Sequence, residues 1–425
     1  MPPPLLVLSN GHGEDAIALR VILALRRRLP ELQVRVLPLV GEGGAFAPAE
    51  RDGQLLRAGP RQSLPSGGFS NQSLGGMAAD LAAGMAALSW RQWCWVRRWG
   101  RGGAPLLAVG DLLPLGLAWA SGAPFAFLGT PKSDYTWRSP PPAGWGGSRL
   151  ADAYHRCKAS EWDPWEWGLM ASRRCRLVAV RDRLTARGLQ RRRIVALAPG
   201  NPMLDGLTAA EPPPWLIRQR RLLLLPGSRM PEALGNGARL LQALRAWPAD
   251  EATTVLLACG GQTHPSCWDG LLRRQGWQAA ELDGASAACG AEAIWHRGQL
   301  TLLLGAGRFE TWAGWAELGL ATAGTATEQL VGLGVPALSL PGPGPQFKAG
   351  FARRQSRLLG GAVLPCHGPA ELAARLTRLL HDQPLRRRLG TIGQRRMGPP
   401  GGSARLAELL EQRLLAVRSS AAGLG

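Results

Sequence analysis

The stretch from Leu318 to Gln346, LGLATAGTATEQLVGLGVPALSLPGPGPQ, constrains the fold more than any other part of the chain. A short apolar approach runs into Ala323-Gly324-Thr325-Ala326-Thr327, and a helix is predicted from about Thr327 to Leu333. Gly334-Val335-Pro336, an apolar strand from Ala337 to Leu340 and a Pro/Gly loop ending at Gln346 follow. Gly334 suits a helix C-terminus, after which the chain returns into a sheet. Gly324 has no Cβ, so a ligand can approach its backbone, and Thr325 and Thr327 bring hydroxyls. The N–H groups that open the helix have no intrahelical partner and carry the positive end of its dipole, which suits an anion such as a diphosphate. Taken alone, the stretch is equally an ordinary helix–strand unit with a Gly-Thr turn.

The N-terminus repeats the pattern. Leu5 to Leu8 is a buried strand ending at Ser9-Asn10-Gly11-His12-Gly13, with a helix predicted from about Glu14 to Leu29 and a strand from Val34 to Leu39. This order opens a doubly wound α/β domain, whose ligands bind at the carboxyl ends of its strands. The turn is neither a dinucleotide fingerprint nor a Walker loop. A strand from Ala104 to Gly110 ends at Asp111, with a helix over Leu112 to Ser121 and a strand over Ala123 to Leu128. Gly129 to Gly168 is Pro/Trp-rich and reads as loops and short helices, with Lys132 and Tyr135 near its start. Glu211-Pro212-Pro213-Pro214 is the clearest linker. Beyond it come a strand from Arg221 to Leu225, the turn Pro226-Gly227-Ser228-Arg229, and a helix from Phe309 to Leu318 leading into the Gly-Thr segment.

Three of these stretches carry a resemblance. Gly324 to Thr327 with the helix, Pro and strand that follow, Leu222 to Arg229 (LLLLPGSR) and Val195 to Asp205 (VALAPGNPMLD) resemble, in that order, motifs of lipid-A-disaccharide synthases. The wording Ser9 to Asp15 (SNGHGED) with Ala326-Thr327-Glu328-Gln329 is closest to the synthase-related branch of that family. The resemblance implies a GT-B fold: two Rossmann-like α/β domains facing each other across a cleft. Residues 1–210 are then an acceptor-side, membrane-facing domain, residues 211–400 a nucleotide-sugar-binding domain, and residues 401–425 an amphipathic helix and tail.

It also implies an inverting transferase that moves a sugar from a UDP-sugar to a lipid-linked acceptor. The donor would meet Gly227, Ser228, Arg229, Gly324, Thr325, Ala326, Thr327, Glu328, Gln329 and Gln346. Arg229 offers a bidentate contact to phosphate, or is a solvated turn residue. Asn10, Gly11 and Gly13 form the acceptor-side turn. Asp111 matches the family's strand-end general base, and Asp is equally a good N-cap for the helix at Leu112. His12 is the rival base, because monogalactosyldiacylglycerol synthases place a His in a similar turn. The synthase proper has Glu where this chain has Gln329, with Glu328 one position earlier. That departure keeps open a second reading, a catalytically inactive GT-B scaffold that binds nucleotide-sugar or lipid.

A chain of 425 residues is too long for one core, and its 45% hydrophobic content is that of a globular protein. Its formal charge is +20, and with Lys only at positions 132, 158 and 348 nearly all of the cationic charge is Arg. Such a surface favours anionic headgroups or phosphorylated substrates. The Arg residues are dispersed and no nucleic-acid module is present, so nucleic acid is not an expected partner. No Asp-x-Asp and no metal-ligand spacing occur, so neither metal nor other cofactor is expected. Seven Cys without a Cys-x-x-Cys fit a reducing cytosol. A signal peptide is not expected at the N-terminus, and Ala104 to Gly129, with Asp111 inside it, does not read as a membrane span.

Gly75 to Trp99 is predicted to be one helix. It ends with four Trp and three Arg in ten residues, among them Trp90, Trp93, Trp95, Arg97, Arg98 and Trp99. That composition fits an interfacial segment on an anionic membrane, here the inner face of the cytoplasmic membrane, or else a Trp-rich core helix with snorkelling Arg.

Overall fold

Leu5–Ser9 (β1) is buried at all five positions, as a strand covered on both faces of a parallel sheet must be. In the computed structural model it pairs in parallel with Val34–Pro38 (β2) on one side and Leu106–Gly110 (β4) on the other. With Leu56–Arg57 (β3), Phe125–Gly129 (β5), Cys175–Val180 (β6) and Ala196–Leu197 (β7) they form a seven-stranded sheet. All its neighbours are parallel, in the order β3-β2-β1-β4-β5-β6-β7. The order reverses between β1 and β4, so a crevice opens beyond their carboxyl ends.

A second sheet has eight strands: Arg220–Leu225 (β8), Thr253–Cys259 (β9), Gln278–Ala280 (β10), Ala293–Arg297 (β11), Leu300–Ala306 (β12), Leu318–Ala321 (β13), Ala337–Ser339 (β14) and Val363–Pro365 (β15). Its order is β10-β11-β12-β9-β8-β13-β14-β15, parallel except at β10-β11 and β11-β12. Here the order reverses between β8 and β13. The structure describes residues 3–64, 74–207, 211–245, 247, 251–261, 263–342, 344 and 347–416, with only the backbone of His12 and of residues 74–76.

The chain divides into two compact units, each holding one sheet: residues 1–137, 149–205 and 399–425 in the first, 138–148 and 206–398 in the second. Residues 399–416 therefore return to the first unit; the rest of the expected C-terminal tail lies outside the described residues. Asp205 explains the return. Its carboxylate accepts the backbone N–H groups of Gly401 and, at 2.6 Å, of Ser403. These open the Gly402–Leu410 helix, which packs on the His12–Arg28 helix. The 138–148 segment lies on the second unit: Arg357 Nε donates to the Ser139 carbonyl at 2.8 Å, and Trp145 stacks on His367 at 4.3 Å.

Two helices differ from expectation. The Gly75–Trp99 run is broken into Leu74–Ala82 and Met85–Arg101, because Gly84 adopts a left-handed conformation (φ 91°) that ends the first and begins the second. The Phe309–Leu318 helix shrinks to Phe309–Trp312 and one 3₁₀ turn at Ala313–Trp315, since Leu318 already belongs to β13.

Candidate active site

In the second unit β8 and β13 are neighbours, with Leu225 opposite Ala321. The Thr322 N–H donates to the Leu225 carbonyl at 2.9 Å. The Pro226–Arg229 turn and the Gly-Thr segment therefore leave the sheet from paired positions at its reversal point. Gly227 has φ 99°, open to glycine alone without strain. Asn236, which sequence reasoning passed over, anchors the turn: its Nδ2 donates to the Pro226 carbonyl at 3.1 Å and the side chain is buried. Arg229 is half-buried, and loss of solvation pulls its pKa below the ordinary guanidinium value while the Glu232 carboxylate pushes it back.

The donor-segment helix spans Thr325–Gly332 and Gly334 follows it at φ 91°, as the sequence indicates, though it starts two residues earlier than expected. Its groups play unequal parts. Thr325 is exposed beside the helix opening. Thr327 is fully buried, and its hydroxyl donates at 2.6 Å to the Ala323 carbonyl, so it completes the turn instead of facing a ligand. A Cβ on Gly324 would lie 3.3 Å from the Phe351 ring. That glycine therefore serves close packing, and Gln355 Nε2 holds its carbonyl at 3.0 Å. Ala326 and Glu328 are half-buried in the first turns, and Gln329 is buried. Gln346 lies outside the described residues.

In the first unit the corresponding crevice brings together the turn after β1 and Asp111 after β4. Asn10 Nδ2 donates to Asp111 Oδ1 at 2.8 Å, and the same oxygen accepts the Leu113 N–H at 3.2 Å. Asp111 is thus the N-cap of the Leu112–Ser121 helix and the clasp of the Gly-rich turn at once. Gly11 (φ 125°) is the N-cap residue of the His12–Arg28 helix, and its carbonyl accepts the Asp15 N–H. His12 and Gly13 begin that helix. Asp15 is buried, taking the Ser9 hydroxyl at 2.5 Å.

Glu14, absent from the sequence-based set, joins them. Its Oε1 lies 3.4 Å from the Thr130 hydroxyl beyond β5. Burial pushes its carboxyl up to about 7, and the charges of Asp111 and Asp15 act in the same direction. Burial also raises Asp111, which the Leu113 N–H and the Lys132 ammonium pull back. Lys132 in turn is held by Glu166 at 2.5 Å and Asp163 at 3.6 Å. Among the described residues no three His, Cys, Asp or Glu side chains converge as a metal site.

The Trp helix is two-faced. Trp90 is 63% exposed and stacks on Trp93 at 4.9 Å, while Arg91, Arg97 and Arg98 face water. Trp93, Trp95 and Trp99 are half-buried and pack on the first unit's core. Arg97 lies over the Trp93 ring. Trp95 and Trp99 stack on each other at 6.0 Å, and a Cβ on Gly59 would meet the Trp95 ring at 3.2 Å. Trp93, Trp95 and Trp99 thus pack partly on the core, and Trp90 alone of the four indoles is exposed. Among the described residues no helix is long and apolar enough to cross a membrane.

No family model and no curated protein matches the chain. Solved structures match it along nearly its whole length. S. aureus MnaA, solved with UDP, shares 11% identity at a TM-score of 0.55 and covers 100% of both chains. Acinetobacter baumannii MurG shares 16% identity at 0.53, covering 97% of this chain and 100% of its own. The chain has the GT-B fold. The calicheamicin glycosyltransferase CalG4 matches equally, with 16% identity, a TM-score of 0.53 and coverage of 97% and 99%. In the GT-B fold of this chain, the two reversal points just described are where its two Rossmann-like sheets offer their turns.

Proposed function

We propose that the chain is an inverting, metal-independent glycosyltransferase that moves a sugar from a UDP-sugar to a lipid-linked acceptor, as the lipid-A-disaccharide synthase-related motifs imply. One observation carries the reading: the Pro226–Arg229 turn and the Gly324–Thr327 helix start leave paired positions of β8 and β13. The N–H groups that open the Thr325–Gly332 helix and the Arg229 guanidinium suit a diphosphate there. UDP is bound by the structural neighbour MnaA, which supports the choice of nucleotide.

In the transfer the acceptor hydroxyl oxygen forms a bond to the anomeric carbon from the face opposite UDP. The bond from that carbon to the diphosphate oxygen breaks, and its electron pair leaves with UDP. Helix N–H groups and Arg229 stabilise the charge that develops on the leaving oxygen. The hydroxyl proton passes to a group of the first unit, where Asp111, His12 and their neighbours stand. The Leu74–Ala82 and Met85–Arg101 helices are adjacent, and Met77, Leu81 and Trp90 on them are exposed beside the exposed Arg residues. This mixed face is the proposed contact with an anionic membrane, on its cytoplasmic side.

The second reading, an inactive scaffold that binds nucleotide-sugar or lipid, is favoured by the buried Gln329 in place of the synthases' Glu. Full-length protein incubated with a panel of UDP-sugars and lipid extract separates the two. Release of UDP dependent on the lipid supports the transferase. UDP binding without release under any combination supports the scaffold.

A further inference from the structure

Three carboxylates stand together where β1 and β4 end, and two of them are committed to structure. Asp15 is buried and takes the Ser9 hydroxyl at 2.5 Å. Asp111 Oδ1 binds the Asn10 amide at 2.8 Å and the Leu113 N–H at 3.2 Å. Its work is to cap a helix and to fix the Gly-rich turn. Glu14 has no comparable engagement. Its side chain lies along Gly110, where a Cβ would sit 3.5 Å from Glu14 Cγ and 2.8 Å from Asn10 Cβ. Among the described residues its contact with another side chain's polar group is the Thr130 hydroxyl at 3.4 Å, at the outer limit of a hydrogen bond, beside its own backbone N–H. A glycine at 110 thus leaves room for a carboxylate that reaches over the strand end with an oxygen to spare.

We infer that Glu14 is the general base of the proposed transfer, and that Asp111 and Asn10 are positioning residues that hold the turn beneath it. The inference rests on the transferase reading. As the acceptor oxygen bonds to the anomeric carbon and UDP departs with its electron pair, the hydroxyl proton moves to a Glu14 carboxylate oxygen. Solvent takes that proton once product has left.

The surroundings suit the task. Burial, then the Asp111 and Asp15 charges, bring the Glu14 carboxyl to about 7, against the opposing effects of its own backbone N–H and Thr130. A base poised there is about half ionised at neutral pH, ionised above it, and still holds a proton well. Among the described side chains the charged groups that act on it are Asp15 on its own helix, Asp111 beyond β4 and, acting through Asp111, Lys132 beyond β5. Arg181 at the end of β6 donates to the Thr130 carbonyl at 3.3 Å.

The test is the pH dependence of kcat for the full chain and for Glu14→Gln, Glu14→Asp, Asp111→Asn and His12→Ala, with UDP affinity measured in parallel. Wild-type kcat should rise with pH and level off above about 7, as the base ionises. Glu14→Gln should lose at least about 100-fold in kcat with UDP affinity unchanged. Glu14→Asp, which keeps the carboxyl but withdraws it, should lose about tenfold and keep the rising profile. Asp111→Asn should lower kcat while the rise near neutral pH persists. Glu14→Gln turning over within about threefold of wild type, or His12→Ala alone abolishing the pH dependence, would overturn the assignment. Should Glu14→Gln fail to fold, a Glu14→Asp variant as fast as wild type overturns it instead. A wild type that binds UDP but transfers nothing defeats the transferase reading, and this inference with it.

Discussion

Replacing Glu14 by Gln should stabilise the first unit at pH 8 and make little difference at pH 4. In the folded chain the carboxyl is raised from 4.5 to about 7. Between those values the folded state binds more protons than the unfolded one, so the stability that this group contributes falls as pH rises. The penalty is absent below the unfolded value and complete above about 7. At about 1.4 kcal/mol per pH unit it reaches about 3 kcal/mol at most. Gln keeps the shape of the protonated acid and carries no charge, so it escapes the penalty. For a unit of this size about 3 kcal/mol corresponds to a transition shifted by roughly 6–12 °C. Thermal unfolding of both proteins at pH 4.5, 6, 7 and 8, followed by Trp fluorescence, measures it. A Gln variant whose advantage over wild type does not grow from pH 4.5 to 8 would show that Glu14 is an ordinary solvated carboxylate, and would remove the electrostatic argument for it as a base.

Other expectations concern the frame of the site and the surface. Gly110→Ala, with φ 133° and a Cβ 2.8 Å from Asn10 Cβ, should cost about 1–3 kcal/mol and loosen the Asn10–Asp111 bond; an unchanged melting temperature contradicts this. Asp205→Ala removes the acceptor for the Gly401 and Ser403 N–H groups and should destabilise the C-terminal helix by about 1–2 kcal/mol, seen as faster hydrogen exchange over Ser403–Leu410. Wild-type protein should bind anionic vesicles with an affinity that weakens but persists as salt rises, because Arg attraction is screened while apolar burial is not. Trp90→Ala should remove much of the salt-resistant part with little change in melting temperature. Trp95→Ala should lower stability by about 3 kcal/mol, as loss of a core-packed indole does; the opposite ranking would restore Trp95 to the surface.

β1, β4 and β8 and the turns at both reversal points were legible because each is local, a buried apolar run, a glycine turn, then a helix start; β13 read only as a short apolar approach, with Leu318 given to the preceding helix. Leu112–Ser121 has the predicted limits, and β1, β4 and the Gly334 stop are in place. Elements set by distant contacts were not legible. Nothing in residues 401–425 announces that Asp205 will cap their helix, and nothing in the Pro-rich run announces that Arg357 and His367 hold 138–148 to the second unit. The Trp helix gave the right composition and an incomplete surface. Its indoles fall on two faces, so only the packing of Trp93, Trp95 and Trp99 on the core separates the half-buried rings from the exposed Trp90. Glu14 escaped notice for a similar reason. A carboxylate beside glycines resembles many helix starts, and its raised pKa arises from burial against β4 and β5, which only the fold supplies.

The central claim is that the turns after β8 and β13 hold a nucleotide diphosphate. Calorimetric titration of UDP into the full chain, and into Arg229→Ala, tests it most directly. The account predicts saturable UDP binding that Arg229→Ala weakens by about 1.5–3 kcal/mol, the range of a charge-assisted hydrogen bond. Absence of heat from UDP and from every UDP-sugar tried, or an Arg229→Ala affinity equal to wild type, would contradict it.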